Sequence, residues 1–157
     1  MKILPLLTIL LLLSGCARPE PTVPETQGGP PADDPPSVAA LEQTATELKT
    51  DGNGNVTEVN FRGAEISDAD LVPLTDLPLL RSVLLNETAI SNEGLVTLGQ
   101  LATLENLDLR GCAIGNDGLA HLAGMKKLRA LRLSGQNNMT TVDDDGMVHV
   151  AGLSSLE

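Results

Sequence analysis

Aromatic side chains are almost absent. Phe61 is the single one, and there is no Trp or Tyr. A compact globule usually draws much of its core energy from rings, so this core must be built another way. Cysteine is scarce as well, with Cys16 and Cys112 the only two. Cys16 has another use, argued below, which leaves Cys112 without a partner and excludes a disulfide framework. Positive charge is short: ten Lys and Arg stand against 21 Asp and Glu, a formal charge of −11. Nucleic-acid binding, which needs a basic surface, is thereby disfavoured; solubility is the plain use of such acidity. No apolar run reaches the roughly 20 residues of a membrane span. What is present is one domain's length, 157 residues, with 41% apolar content, enough for a packed core in part of the chain.

The N-terminus carries a targeting signal. Lys2 supplies one positive charge, and Ile3 to Leu13 is apolar apart from Pro5 and Thr8. That length suits a secretory leader rather than a span. The run ends in Leu13-Ser14-Gly15-Cys16, which resembles the bacterial lipoprotein lipobox. The resemblance implies cleavage of residues 1–15, a diacylglyceryl thioether on Cys16 and acylation of the new amine. Two or three acyl chains anchor stably where one does not, at roughly 0.8 kcal/mol per buried CH₂. An ordinary leader with a chance cysteine is the simpler alternative. Ala17 follows the cysteine, where such lipoproteins carry Asp for inner-membrane retention, so the resemblance leans towards the outer membrane. Lys2 leaves with the leader, moving the formal charge from −11 to about −12.

Residues 16–36 read as a tether. Arg18 to Pro36 is rich in proline, glycine and acid and nearly free of large apolar side chains, so it cannot offset its own ordering entropy. Short proline-rich ligand motifs are the alternative, but no P-x-x-P carries a basic flank. A capping unit is expected over 37–55. It comprises a short helix from Ser37, a strand near Leu48–Thr50, and a turn through Asp51-Gly52-Asn53-Gly54-Asn55, whose Asp-Gly and Asn-Gly pairs favour positive φ.

The rest is periodic. Leu104, Leu107 and Leu109 form an L-x-x-L-x-L run, followed by Ile114 and then by Leu119, Leu122 and Met125. The pattern recurs at a shift of 24 residues, with units expected at 56–79, 80–103, 104–127 and 128–155 and a fifth opening at Leu156. The fourth unit carries four extra residues, Gln136 to Thr141 being the irregular stretch. Period two in the first half of each unit reads as a strand, and spacing three in the second half as a helix face. Asp68, Asn92, Asn116 and Asp144 share a position just before the helix and are expected to cap it. Gly94, Gly118 and Gly146 share another; Asp70 breaks that column. Units of this size bury their apolar side only by stacking.

The segments LENLDLRGCAIGNDGLAHLAGMKK and LRSVLLNETAISNEGLVTLGQLAT resemble leucine-rich repeats, specifically the cysteine-containing, ribonuclease-inhibitor-like branch found in bacterial cell-envelope proteins. The resemblance covers about 56–157. It implies an α/β horseshoe, or solenoid, with a parallel concave sheet and short convex helices, and a binding role without chemistry. Eukaryotic relatives serve as ubiquitin-ligase adapters, but nothing here resembles their F-box.

Several candidate sites have plainer explanations. Cys112 shares a column with Ala64 and Thr88, which points inward in the family, and reads as a small buried residue; a reactive thiol would want a basic neighbourhood, and only Arg110 is near in sequence. His121 and His149 share a repeat position, but no further metal ligand extends the column, so both read as solvent-facing. Asp143-Asp144-Asp145 lacks the alternate spacing of a calcium loop, and Asp144 reads as a helix cap. The Asn55, Asn86 and Asn138 N-x-T triplets are treated as chance.

The outward side of the strands is the surface of interest. Alternation places Glu58, Asn60 and Arg62 there, then Ser82, Leu84 and Asn86, then Asn106, Asp108 and Arg110, then Ala130, Arg132 and Ser134. Arg62, Leu84, Asn86, Asp108, Arg110 and Arg132 form the candidate binding face, for a protein or an anionic envelope component such as a carboxylate-bearing cell-wall fragment. The competing reading is cross-strand pairing, Arg81–Glu105–Arg129 and Asp108–Arg132, each pair adding roughly 0.2–1 kcal/mol to the sheet. On that reading Arg62 and Arg110 lack an acid. Four strands span only ~14 Å, and Phe61 points inward, so strong aromatic hot spots are not expected.

These observations lead to a lipid-anchored, envelope-facing binding module. No nucleophile–base pair, metal cluster or phosphate loop is visible, so neither catalysis nor a cofactor is expected. A structural envelope spacer is one alternative. Because the chain stops inside an opening strand, an N-terminal fragment of a longer repeat protein is another, and pairing through that uncovered edge a third.

Overall fold

A computed structural model describes residues 31–134 and 139–157. The leader, Cys16 and most of the tether lie outside the described residues, as does part of the insertion.

Helix α1 spans Pro35–Thr44. Asp34 caps it, accepting the Ser37 N–H at 3.0 Å, and Pro35 sits where a missing N–H costs nothing. The helix therefore starts two residues before the Ser37 expected from sequence. Asp33 is already engaged, its carboxylate accepting the Val56 N–H. Residues 33–36, expected in the tether, hold this Asp33 contact and the first turn of α1. Strand β1 (Glu47–Thr50) pairs antiparallel with β2 (Val56–Asn60), with a bulge between Lys49 and Thr50. Leu41 is fully buried beneath α1, so helix and strand together close the first end of the stack.

Three further strands follow, β3 (Ser82–Leu84), β4 (Asn106–Asp108) and β5 (Ala130–Arg132), each parallel to the one before. The sheet runs β1-β2-β3-β4-β5 in chain order. Its register is the 24-residue period made visible: Val59, Val83, Leu107 and Leu131 are successive partners. Each parallel connection contains one helical segment. The first is a 3-10 helix, Asp68–Asp76, with Pro73 inside it; proline disrupts regular α-helical bonding. The other two are α2 (Asn92–Leu98) and α3 (Asn116–Ala120), and a further helix, α4 (Asp144–Val150), follows β5. Among the described residues no helix is long and apolar enough to cross a membrane.

The core is a ladder of aliphatic columns. Leu80, Leu104 and Leu128 are fully buried, as are Leu85 with Leu109, Ile90 with Ile114, and Leu98 with Leu122. Phe61 is buried in the first rung. Burial of an aliphatic side chain contributes roughly 1.5–3 kcal/mol, so repetition replaces the missing rings. The last rung is looser: Leu131, Leu133, Val142 and Leu156 are only partly buried and line an open apolar cleft with Met147 and Val150.

Two columns take different roles from those expected. The N-caps are Ser67, Ser91, Gly115 and Asp143, one residue before the predicted cap column. Asp68, Asn92 and Asn116 instead reach to the next rung. Asp68 accepts from Ser91 N–H at 2.9 Å, Asn92 from Gly115 N–H at 2.8 Å and Asn116 from Asp143 N–H at 3.1 Å. They satisfy the backbone at the start of the following helix, which a side chain cannot do for itself across a rung. Asp144 is correspondingly not the cap of α4; Asp143 is, accepting the Asp145 N–H at 3.0 Å.

This bridge explains the glycine column. A Cβ on Gly94 would lie 2.6 Å from Asp68 Oδ1, on Gly118 2.3 Å from Asn92 Oδ1, and on Gly146 2.3 Å from Asn116 Oδ1. Asp70, which breaks the column, forms a capping box with Ser67 instead. The turns after the strands need positive φ. Gly63 and Gly111 supply it freely, whereas Glu87, between them in the same column, sits at φ 65°.

Candidate concave binding site

Strand alternation brings all six candidate residues, Arg62, Leu84, Asn86, Asp108, Arg110 and Arg132, into one shallow hollow on the concave face, together with Lys49, Glu58, Asn60 and Asn106. The ladder continues past the short strands, with Gly63 N–H on Asn86 C=O and Glu87 N–H on Arg110 C=O. Arg62, Asn86 and Arg110 therefore form one row, and Asn60, Leu84, Asp108 and Arg132 the row beside it. Lys49 was not foreseen. It arrives from β1, and its Nζ meets Glu58 across the antiparallel pair. The same period-two reading applied to β1 would have found it.

Charge pairing differs from the expected scheme. Asp108 pairs with Arg110 in its own strand, not with Arg132: Oδ1 accepts Nε at 2.9 Å and Oδ2 accepts Nη2 at 2.6 Å. Residues two apart in a strand share a face, and a two-point guanidinium–carboxylate contact outcompetes a single one. Asp108 is only 3% exposed. Burial pushes its carboxyl up, but the Arg110 side chain and backbone N–H, with the nearby Arg132 charge, hold it below the usual carboxylate range. Glu58 is likewise held low by its hydrogen bond to Lys49.

Arg132 donates Nη1–H to Asn106 Oδ1 at 2.6 Å, and Asn106 in turn donates to Ser82 Oγ at 2.9 Å. Arg62 meets Asn86, whose amide oxygen, turned to the guanidinium, accepts Nε–H at 2.6 Å. So among the described residues Arg62 and Arg132 are the arginines without an ion pair, rather than Arg62 and Arg110. At the N-terminal ends of the strands Arg81 meets Glu105 at 3.8 Å, as expected, but Arg129 pairs with Glu157 at 2.6 Å instead of with Glu105.

Of the other candidates, Cys112 takes the small buried role expected of it, whereas Asp144 does not cap α4. Cys112 is fully buried, donating to Leu85 C=O at 3.1 Å beside Thr88; burial pushes its thiol up, against reactivity. His121 is exposed and His149 partly so. Among the described residues no group of three or more His, Cys, Asp or Glu could hold a metal.

A leucine-rich repeat solenoid is the class this architecture defines, with a strand, a turn and a helical segment per 24 residues around one aliphatic ladder. Residues 100–123 match the family model described as Leucine Rich repeat. Among solved structures, the chain is similar to one described as PEPR1-AtPEP1, at 15% identity and a TM-score of 0.47, over 77% of this chain and 20% of that one. It is also similar to an internalin (inlF) from Listeria monocytogenes, at 22% identity and a TM-score of 0.46, over 64% of this chain and 33% of that one. The chain thus spans a third or less of either protein. No curated protein matches it.

Proposed function

We propose that this chain is a lipid-anchored binding module of the bacterial cell envelope, holding a protein partner on its concave face and carrying out no chemistry. One observation carries the binding half. Four of the eight basic residues beyond residue 30 line a single hollow, in a chain whose formal charge is −11. The helices opposite carry acid in their first turns, at Asp68, Asp70, Glu93, Asp117, Asp144 and Asp145, and only His149 in a last turn. Such polarity steers an anionic surface to the concave side and away from the convex one. The hollow contains no nucleophile beside a base, so recognition rather than catalysis is what its groups support.

The location half rests on the sequence of residues 1–16. Cys16 carries the lipid, and Ala17, where Asp would favour inner-membrane retention, leans the reading towards the outer membrane. A clickable palmitate analogue fed to expressing cells should label the wild-type chain and leave Cys16→Ser unlabelled; equal labelling of both would remove the anchor. For the partner, a photo-crosslinking amino acid at Leu84 should yield one discrete adduct in cells, and the same group at Val96, exposed on α2, should yield none. The absence of any adduct from Leu84 would favour a spacer that holds nothing specific.

A further inference from the structure

The two unpaired arginines indicate what the partner presents. Resting on the proposed binding role of the concave face, we propose that the hollow takes an extended peptide segment of the pattern acid-x-apolar-x-acid, with one carboxylate on Arg62, the other on Arg132 and the apolar residue on Leu84.

Neutral amides position both guanidiniums. Asn86 holds Arg62 at 2.6 Å and Asn106 holds Arg132 at 2.6 Å. An amide fixes the geometry of a guanidinium without quenching its charge, which leaves the charge for an incoming carboxylate. Each of the other two cations in the hollow already faces an acid: Lys49 has Glu58 and Arg110 has Asp108. With those pairs neutralised, the hollow keeps two positive charges.

Their placement sets the spacing. Both arginines lean inward by one rung, Arg62 from β2 towards Asn86 beyond β3, and Arg132 from β5 towards Asn106 on β4. Asn86 is level with Arg110, four residues along from Asn106. Four residues of strand measure about 13 Å, and one rung about 4.8 Å, so the two amides that hold the guanidiniums stand about 14 Å apart on the diagonal. An extended peptide presents side chains i and i+4 on one face at about 13 Å. Residue i+2 of that peptide falls midway, over the row holding Leu84 and Asp108. Leu84 is the one apolar side chain lining the hollow, and the Asp108 charge beside it is masked by Arg110. A peptide running along the strands needs no free sheet edge, because only side chains are offered to it.

The test uses a fluorescein-labelled peptide with the core Glu-Thr-Val-Thr-Glu, titrated by anisotropy against the full chain. Arg62→Gln and Arg132→Gln, both at exposed side chains, should each weaken binding roughly tenfold, the loss of one charge-assisted contact. Arg81→Gln, at the N-terminal end of β3 and outside the hollow, should leave it unchanged. A core with its glutamates two apart should bind several-fold more weakly, and a Gln-Thr-Val-Thr-Gln core should not bind. Equal affinity for the Gln core, or for either hollow variant, overturns the proposal. So does retention of a carboxylated glycan such as polygalacturonate where the peptide is not retained. If Leu84 crosslinks to a discrete protein while the acidic peptide fails to bind, the acid-x-apolar-x-acid inference falls and the binding role stands. If the peptide binds but Leu84 captures nothing in cells, acid recognition stands and the protein-partner reading falls.

Discussion

The two faces of the same short strands do different work. The inward face is uniform: Val83, Leu107, Leu85 and Leu109 are fully buried, and each repeats its neighbour at one rung's distance. The outward face varies from rung to rung, through Asn60, Leu84, Asp108 and Arg132 in one row. A solenoid's stability is a near-sum of rung and interface terms, so the inward columns are constrained by packing. The outward rows are constrained only by what they meet. Substitutions that separate stability from recognition can therefore break the comparison or sharpen it.

Leu107→Ala should have the largest effect. It empties a fully buried site in the middle rung and should cost about 3–4 kcal/mol in denaturant unfolding. Gly118→Ala comes next. Alanine normally favours a helix over glycine by about 1 kcal/mol, but here its Cβ would collide with Asn92 Oδ1 at 2.3 Å. Destabilisation of about 1–3 kcal/mol is expected; a stabilised variant would disprove the bridging role of Asn92.

Asp108→Asn tests the residue that belongs to both faces, outward but buried. Breaking its two-point bond to Arg110 should cost about 1–2 kcal/mol at pH 7. The Asp108 carboxyl is held below its unfolded value, so its contribution is complete above about pH 4, the unfolded range. It is lost as the pH falls through the folded value. The gap between wild type and Asp108→Asn should therefore close below about pH 4, and a gap that widened in acid would refute the ion pair. Glu87→Gly should have the smallest effect and the opposite sign. Relieving φ 65° at a non-glycine residue should stabilise by about 0.5–1 kcal/mol, read as a raised unfolding midpoint.

Most of the inward face was legible in the sequence. The 24-residue shift aligned Leu80, Leu104 and Leu128, and these occupy one buried column. What escaped was contact between side chains on different rungs. The Asp68, Asn92 and Asn116 column reads as a helix cap because Asn and Asp favour that role locally. Its reach across a rung of the stack has no local signature, though the glycine column two residues on was the trace it left. The site residues were legible as a set, since alternation alone selects them. Their pairing was not, because a cross-strand acid such as Asp108 opposite Arg132 and a same-face neighbour two residues along, Arg110, look alike in sequence, and only the two-point geometry chooses between them. Lys49 had no place in the repeat pattern, because β1 belongs to the capping unit; its antiparallel pairing with β2 nonetheless extends the concave face by one strand.

The division of labour between the faces is tested most directly in one double variant, Arg62→Gln with Arg132→Gln, carrying the photo-crosslinker at Leu84. Its denaturation midpoint and its adduct yield in cells would be read side by side. We expect the wild-type midpoint and no adduct. An adduct at the wild-type level would contradict the account.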